Sequence, residues 1–129
     1  TATITINSSD LTGDALSLST TTTLYKAGQT VGLENTSGIG RTKVTTGSAV
    51  VLYDGSDYDV AGSHKVYVAN KSTDATEYFT ITANAEEIGR LYAGDWAFFP
   101  WSAHDADADI KYTASVTTGM VIEHMIISE

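Results

Sequence analysis

The strongest constraint on the fold is a period-two alternation of apolar and polar residues in two neighbouring segments. In the segment KVYVAN, Val66 and Val68 share one face, and in YFTITA, Phe79 and Ile81 do the same. Such alternation in β-branched and aromatic residues is typical of half-buried strands. The polar stretch between the two segments is long enough for a hairpin connection. The chain is therefore expected to fold as a β-protein organised around this region.

Strand signals continue along the rest of the chain. We count eight to ten short strands, separated by turn-forming residues at the spacing expected of a sandwich or barrel. Arg41–Thr46 and Ser48–Tyr53 are predicted to form a hairpin around Gly47, and only Ala83–Leu91 leaves room for a single helical turn. At 129 residues the chain is expected to be one domain, residues 1–129. The predicted fold is all-β: an antiparallel β-sandwich, jelly-roll-like, with almost no helix.

The stretch from His64 to Trp101 holds both Trp and all three Phe residues. Aromatic side chains bury the largest areas of any residues, so we expect the core to form here. The predicted core residues are Val66, Val68, Phe79, Ile81, Leu91, Trp96, Phe98 and Ile110.

The charge balance argues against some classes of partner. The chain has 16 acidic and 7 basic residues and a formal net charge of −9. Nucleic-acid binding depends on Lys and Arg at phosphates, so we expect no nucleic-acid partner. Anionic membrane surfaces are disfavoured as well, and no apolar run approaches the roughly 20 residues of a membrane helix. No charged-then-apolar leader opens the chain, so we expect no secretory signal.

Two acidic segments are the only candidates for ion binding. DGSDYD offers Asp54, Asp57 and Asp59, and HDADAD offers Asp105, Asp107 and Asp109. Flexible loops rich in carboxylates suit Ca²⁺, and His104 could join Zn²⁺ or Ni²⁺. Solvated polar loops are the favoured interpretation of both segments, so we predict no required metal.

No catalytic motif stands out. The chain lacks a nucleophile elbow, a phosphate loop, a zinc-protease helix motif and a dinucleotide fingerprint. With no Cys, it also has neither a disulfide framework nor a thiolate metal site. The three His residues, His64, His104 and His124, are scattered. A Ser–His–Asp set stays open, but nothing in the sequence requires one. We therefore predict no enzymatic activity and no cofactor.

Two segments are apolar on both faces. These are Trp96–Trp101 and Met120–Ile127, where Met120, Ile122 and Ile126 alternate with Val121, Met125 and Ile127. A strand with two apolar faces is covered on both sides, either by its own chain or by a partner. The segments thus predict an oligomer or partner interface formed by Trp96, Phe99, Trp101, Val121, Met125 and Ile127.

A spaced set of residues in the C-terminal half carries a resemblance. The segments VYVANKST, EYFTIT, EEIGRLYAGDWAFFPWS and DIKYTASVTTGMVIEHMI follow one another, and their matching residues are Asn70, Gly89, Arg90, Leu91, Gly94, Asp95 and Pro100. This order, over roughly residues 66–127, resembles small β-rich virion structural proteins of tailed bacteriophages, of the type found in marine and cyanobacterial phages.

The resemblance implies a structural role in the phage particle. Its favoured form is a capsid decoration, or cement, protein, made in the host cytoplasm and located on the capsid surface. It further implies the major capsid protein as partner and a homo-oligomer, with a trimer favoured. Two alternatives stay open: a tail or fibre component of the virion, and a carbohydrate-binding β-sandwich module that uses the aromatic stretch for stacking.

Overall fold

The computed structural model describes residues 1–9, 16–104 and 107–129 of the chain. Its contacts divide the chain into two compact units, residues 1–33 and residues 34–129. The sandwich expected over residues 1–129 is built by the second unit. Each unit is described by itself below.

The first unit is an antiparallel two-stranded ribbon followed by a turn. Strand β1 (Ala2–Ser8) pairs with β2 (Leu16–Thr22). A single bridge between Tyr25 and Gly32 then closes a turn, in which the amide of Lys26 donates to the carbonyl of Val31 at 2.8 Å.

The described residues of the second unit form nine strands in two antiparallel sheets, with one three-residue 3₁₀ turn at Gly55–Asp57. One sheet has four strands in the order β5-β10-β7-β8, and the other has five, in the order β3-β11-β6-β9 with β4 also on β11. The strands are β3 (Asn35–Thr36), β4 (Gly40–Lys43), β5 (Val50–Tyr53), β6 (His64–Asn70), β7 (Tyr78–Ala83), β8 (Glu86–Tyr92), β9 (Trp96–Trp101), β10 (Ile110–Ala114) and β11 (Val121–Ser128).

The strand order is that of a jelly roll. The β7–β8 hairpin lies innermost in a nested series of pairs, followed outwards by β6–β9, β5–β10 and β4–β11. Alternate pairs belong to opposite sheets, so the chain behaves as one long hairpin rolled into two layers. The predicted jelly-roll-like sandwich is confirmed.

One hydrophobic core lies between the two sheets. Every second residue of each long strand points inward, as the alternation predicts. The five-stranded sheet contributes Val66, Val68, Ile122 and Ile126, and the four-stranded sheet contributes Phe79, Ile81, Leu91, Ile110 and Tyr112. Six of the predicted core residues are among these.

Two of the predicted core residues lie elsewhere. The side chain of Trp96 is 48% exposed, and Phe98 is only half-buried. Trp101 is buried in the core, and the strand alternates, so Trp96 and Phe98 lie on the opposite face of β9.

The predicted hairpin around Gly47 is wrong. β4 pairs with β11 in the five-stranded sheet, whereas β5 pairs with β10 in the four-stranded sheet. The segment between them crosses from one layer to the other. Sequence adjacency favoured a hairpin, but the rolled topology places consecutive arms in different sheets.

The segment proposed as a possible helical turn forms the tip of the β7–β8 hairpin. Asn84 and Ala85 both have positive φ, 54° and 64°, and link Ala83 directly to its partner Glu86. Two successive positive φ values are the requirement of a type I′ turn, whose twist suits a two-residue hairpin. Within the described ranges, no helix is long and apolar enough to cross a membrane.

Candidate interaction face

The outward side of the five-stranded sheet is the candidate site. Its β4, β6, β9 and β11 side chains that point away from the core form what we call the outer face. They are Arg41, Lys43, Lys65, Tyr67, Ala69, Trp96, Phe98, Pro100, Val121, Glu123, Met125 and Ile127. Most of these are apolar, which is unusual for a sheet surface that faces away from its own core.

An aromatic row crosses the centre of the outer face. Phe98 lies directly opposite Tyr67, and Tyr67 lies directly opposite Met125 on its other side. Trp96, two residues before Phe98 on the same strand, extends the row along β9. Directly opposed positions in antiparallel strands are neighbours on one side of the sheet, so these residues occupy adjacent positions on the outer face.

A hydrogen-bonded carboxylate lies beside the aromatic row. Glu123 accepts from Arg41 Nε at 2.7 Å and from the Tyr67 hydroxyl at 3.0 Å. Its side chain is only 9% exposed, against 63% for Arg41. The bond from Arg41, more than that from Tyr67, lowers the pKa of Glu123 and outweighs the opposing effect of desolvation. The carboxylate therefore remains charged and fixes the position of both partners.

The outer face has a charge opposite to that of the chain as a whole. Its strand positions hold three basic residues, Arg41, Lys43 and Lys65, and one acidic residue, Glu123, which is paired. Lys71 follows β6 directly and acts electrostatically on Glu123. In a chain with 16 acidic and 7 basic residues, this is a local excess of positive charge. Such a face attracts acidic surfaces.

Four of the six residues predicted to form an interface lie on the outer face: Trp96, Val121, Met125 and Ile127. The other two point the opposite way. Trp101 is a core residue, 5% exposed, whose indole N–H donates to the carbonyl of Ala108 at 2.7 Å. Phe99 packs against the core from a half-buried position. Alternate residues of β9 point to opposite faces of the sheet, which places Trp96 outward and Phe99 and Trp101 inward. The prediction from the sequence did not use this alternation within β9.

Sequence reasoning also missed the polar residues of the outer face. Arg41, Tyr67 and Glu123 are more than 20 positions apart in sequence and meet only through the pairing of β4, β11 and β6. The available signal was the single acidic residue in the apolar segment MVIEHMIIS. A lone charge between apolar neighbours in a strand requires a partner.

The acidic loop Asp54–Asp59 serves local structure. The carboxylate of Asp54 accepts from the hydroxyl and amide of Ser56 at 2.6 and 2.9 Å, which lowers the pKa of Asp54. Asp59 accepts from the amide of Ala61 at 2.9 Å. Asp57 is exposed. These are turn-capping bonds of the kind that Asp side chains make in loops.

The second acidic loop meets the first at one end of the sandwich. Asp109 accepts from the amide of Gly55 at 2.9 Å and lies 3.1 Å from Lys111 Nζ. Asp107 is exposed, and Asp105 lies outside the described residues. In the part of the chain that the structure describes, no three His, Asp or Glu side chains are placed to hold a metal ion.

Two His residues point to the inner side of the five-stranded sheet, His64 buried and His124 half-buried. His64 is 1% exposed, its Nε2 lies 2.8 Å from the carbonyl oxygen of Asp59, and its ring packs against Trp101. His124 contacts Tyr53 and Thr42 through its two ring nitrogens, at 2.9 and 3.2 Å. Burial lowers the pKa of His124. These contacts join strands within the sandwich.

A small open cleft of about 190 Å³ lies between the edge strands β8 and β9. It is lined by Ile81, Ile88, Gly89, Arg90, Leu91, Ala97 and Phe99. The lining is apolar apart from Arg90, so the cleft offers few groups to orient a ligand.

Asn70, Gly94 and Asp95, three of the spaced residues in the C-terminal half, have roles in the fold. Asn70 is fully buried, and its amide donates to the carbonyls of Leu91 and Glu77 at 3.0 and 3.3 Å. Asp95 accepts from the amide of Tyr92 at 2.9 Å, next to Gly94 with φ 88°. The motif thus fixes the β8–β9 turn against the end of β6.

Comparisons of the chain with protein families, with curated proteins and with solved structures found no match.

Proposed function

We propose that this chain is a non-enzymatic structural protein of a phage virion, most specifically a capsid decoration protein that binds and stabilises the shell. Its outer face is the observation that carries the proposal. A partly exposed sheet surface that combines aromatic residues with excess positive charge is suited to docking on a protein. The resemblance of residues 66–127 to phage virion proteins supports a role in a phage particle. Jelly rolls are also common among viral structural domains.

The partner surface, under this proposal, belongs to the major capsid protein and is acidic at its rim and apolar at its centre. Arg41, Lys43 and Lys71 attract the acidic rim, while Trp96 and Phe98 supply the burial area. Aromatic residues and Arg are the types that dominate binding energy at interfaces. Many copies on one shell, with a trimer as the favoured unit, convert modest contacts into strong attachment.

The proposal is tested on purified particles of the phage that encodes the chain. Mass spectrometry is expected to find the chain at high copy number, and cryo-electron microscopy to place it on the capsid surface. Density confined to the tail supports the alternative of a tail or fibre component. A particle preparation without the chain contradicts a virion role.

A variant pair tests whether the outer face makes the attachment. Trp96→Ala is expected to weaken co-sedimentation with shells that lack the chain. The matched control is Tyr92→Ala, whose side chain is 43% exposed against 48% for Trp96 but lies in the four-stranded sheet. Equal binding by both variants contradicts docking through the outer face.

A carbohydrate-binding module is the second candidate. The exposed indole of Trp96 beside Phe98 favours it, because sugar rings stack on flat aromatic surfaces and lectin domains also use the jelly roll. Calorimetric titration with soluble glucans and bacterial cell-wall polysaccharides tests it. Binding that is lost in Trp96→Ala supports this function over capsid attachment.

A further inference from the structure

Arg41 of the outer face is held through one nitrogen only. Its Nε donates to Glu123 Oε2 at 2.7 Å, and no other hydrogen bond or ion pair of Arg41 is found among the described residues. A guanidinium carries five N–H donors, so the two terminal nitrogens of Arg41 keep four of them for another molecule. The side chain is 63% exposed, which leaves that end open to a partner that docks on the face.

Glu123 fixes the orientation of this guanidinium. Its Oε2 accepts from Arg41, and its Oε1 accepts from the hydroxyl of Tyr67 at 3.0 Å. The carboxylate side chain is 9% exposed, and Tyr67 is half-buried. A nearly buried carboxylate that is bonded at both oxygens has little freedom to rotate. Arg41 has therefore lost part of its side-chain entropy before any partner binds, which lowers the entropic cost of binding.

The charge around the pair suits one further carboxylate. Lys43 lies two residues after Arg41 on the same face of β4, and Lys71 acts electrostatically on Glu123. Three cations therefore surround a single carboxylate, and an incoming carboxylate meets an excess of positive charge. A phosphate group, with a charge of about −1.5 to −2, is repelled more strongly by Glu123 than a carboxylate is. The site thus favours an acidic side chain over a phosphate.

An exposed indole lies in the same row of the sheet. Arg41 lies directly opposite Glu123, and the next two strands place Ala69 and then Trp96 in line. The backbones of Arg41 and Trp96 are thus three strand spacings apart, or about 14 Å. Arg and Trp are among the residue types that dominate binding energy at interfaces. The row presents one at each end, with the small Ala69 between them.

We propose that Arg41 is the specificity-determining contact of the outer face, and that its terminal nitrogens bind an Asp or Glu carboxylate of the partner protein as a bidentate pair. The planar fork of a guanidinium matches the two oxygens of a carboxylate, which an ammonium group does not. Glu123 is a positioning residue that acts on the partner through Arg41. The inference rests on the proposed function, because its partner is the capsid surface named there, and it adds the group that is recognised.

Co-sedimentation with shells of the encoding phage that lack the chain tests the contact, with dissociation constants measured for each variant. Arg41→Lys keeps the charge and removes the fork, so it is expected to raise the dissociation constant about tenfold. Lys43→Arg is the matched control, an exchange of the same two residue types on the same face of β4, and is expected to change it less than about twofold.

The outcomes separate this inference from the virion role. Shell binding by the unmodified chain that Arg41→Lys leaves unchanged overturns the carboxylate contact and leaves the virion proposal standing. A lack of shell binding by the unmodified chain overturns both. Arg41 is largely exposed, so Arg41→Lys is expected to fold, and its result decides the contact even if a substitution of Glu123 unfolds the chain.

Glu123→Gln tests the positioning role. It removes a negative charge from a face that docks on an acidic surface, so net charge alone predicts tighter binding. The inference predicts the opposite, a dissociation constant about fivefold higher, because Arg41 loses its fixed orientation. In an Arg41→Gln background, Glu123→Gln is expected to cause no further weakening. Tighter binding by Glu123→Gln, or equal weakening in both backgrounds, overturns the positioning role.

Discussion

Tyr53 of β5 and His124 of β11 join the two sheets of the sandwich through a part-buried hydrogen bond. Tyr53 Oη lies 2.9 Å from His124 Nδ1, and the two rings meet edge to face with centroids 5.7 Å apart. His124 Nε2 lies 3.2 Å from the hydroxyl of Thr42 on β4. One side chain thus connects three strands from both layers, which makes it a sensitive probe of the fold.

Tyr53→Phe is expected to lower the free energy of unfolding by about 1 kcal/mol, because it leaves His124 Nδ1 without its partner in a part-buried site. Urea denaturation followed by fluorescence measures the change. Tyr25→Phe is the control: Tyr25 is 49% exposed, and its loss of a hydroxyl is expected to cost under about 0.5 kcal/mol. Equal effects in the two variants contradict the cross-sheet role of Tyr53.

Acidification is expected to destabilise the sandwich through His124. Burial lowers its pKa in the folded state below the ordinary 6.5, so the unfolded chain takes up the proton first. This contribution to stability is fully present above pH about 6.5 and falls as the pH drops towards the folded pKa.

Melting temperatures between neutral pH and pH about 5 measure this loss, in a range where most carboxylates stay ionised. His124→Gln is expected to flatten the dependence, whereas His104→Gln, at an exposed position, is expected to retain it. A pH profile that His124→Gln leaves unchanged places the titrating group elsewhere.

Arg41→Gln is expected to raise the pKa of Glu123. The hydrogen bond from the Arg41 guanidinium is the largest cause of the lowered pKa of Glu123. Without that bond, desolvation of the carboxylate raises the pKa against weaker opposition. A carboxyl-carbon NMR titration follows Glu123 directly. Lys65→Gln, which removes a cation from the same face without a bond to Glu123, is the control. An unchanged titration in Arg41→Gln shows that the pair does not form in solution.

Ala85→Gly is expected to stabilise the protein by about 1 kcal/mol. Ala85 has φ 64°, a conformation that costs a residue with a Cβ about that amount and costs Gly little. The change also creates the Asn-Gly pair preferred in type I′ turns. Thermal unfolding measures the gain. Ala114→Gly, at the buried last residue of β10, is expected to act in the opposite direction. Destabilisation by Ala85→Gly contradicts a strained turn.

The sequence alone does not show which of its local clusters meet in the folded chain. The loop Asp54–Asp59 makes turn bonds, Asp109 forms an ion pair with Lys111, and the amide of Gly55 links the two loops by donating to Asp109. Sequence inspection treats the loops as separate, because nothing local indicates that β5 and β10 are neighbours. The sequence likewise presents the aromatic stretch as one cluster, although its residues serve two opposite faces of β9.

The sequence by itself determined the fold class and most of the core. Alternation in β6 and β7 placed Val66, Val68, Phe79 and Ile81 inside, because side chains alternate along any strand whatever its neighbours. Only the tertiary structure decided which strands pair, because hydrogen bonding between strands depends on backbone groups that every residue shares. That pairing separated β4 from β5, turned Trp101 inward and Trp96 outward, and brought Arg41, Tyr67 and Glu123 together on one face.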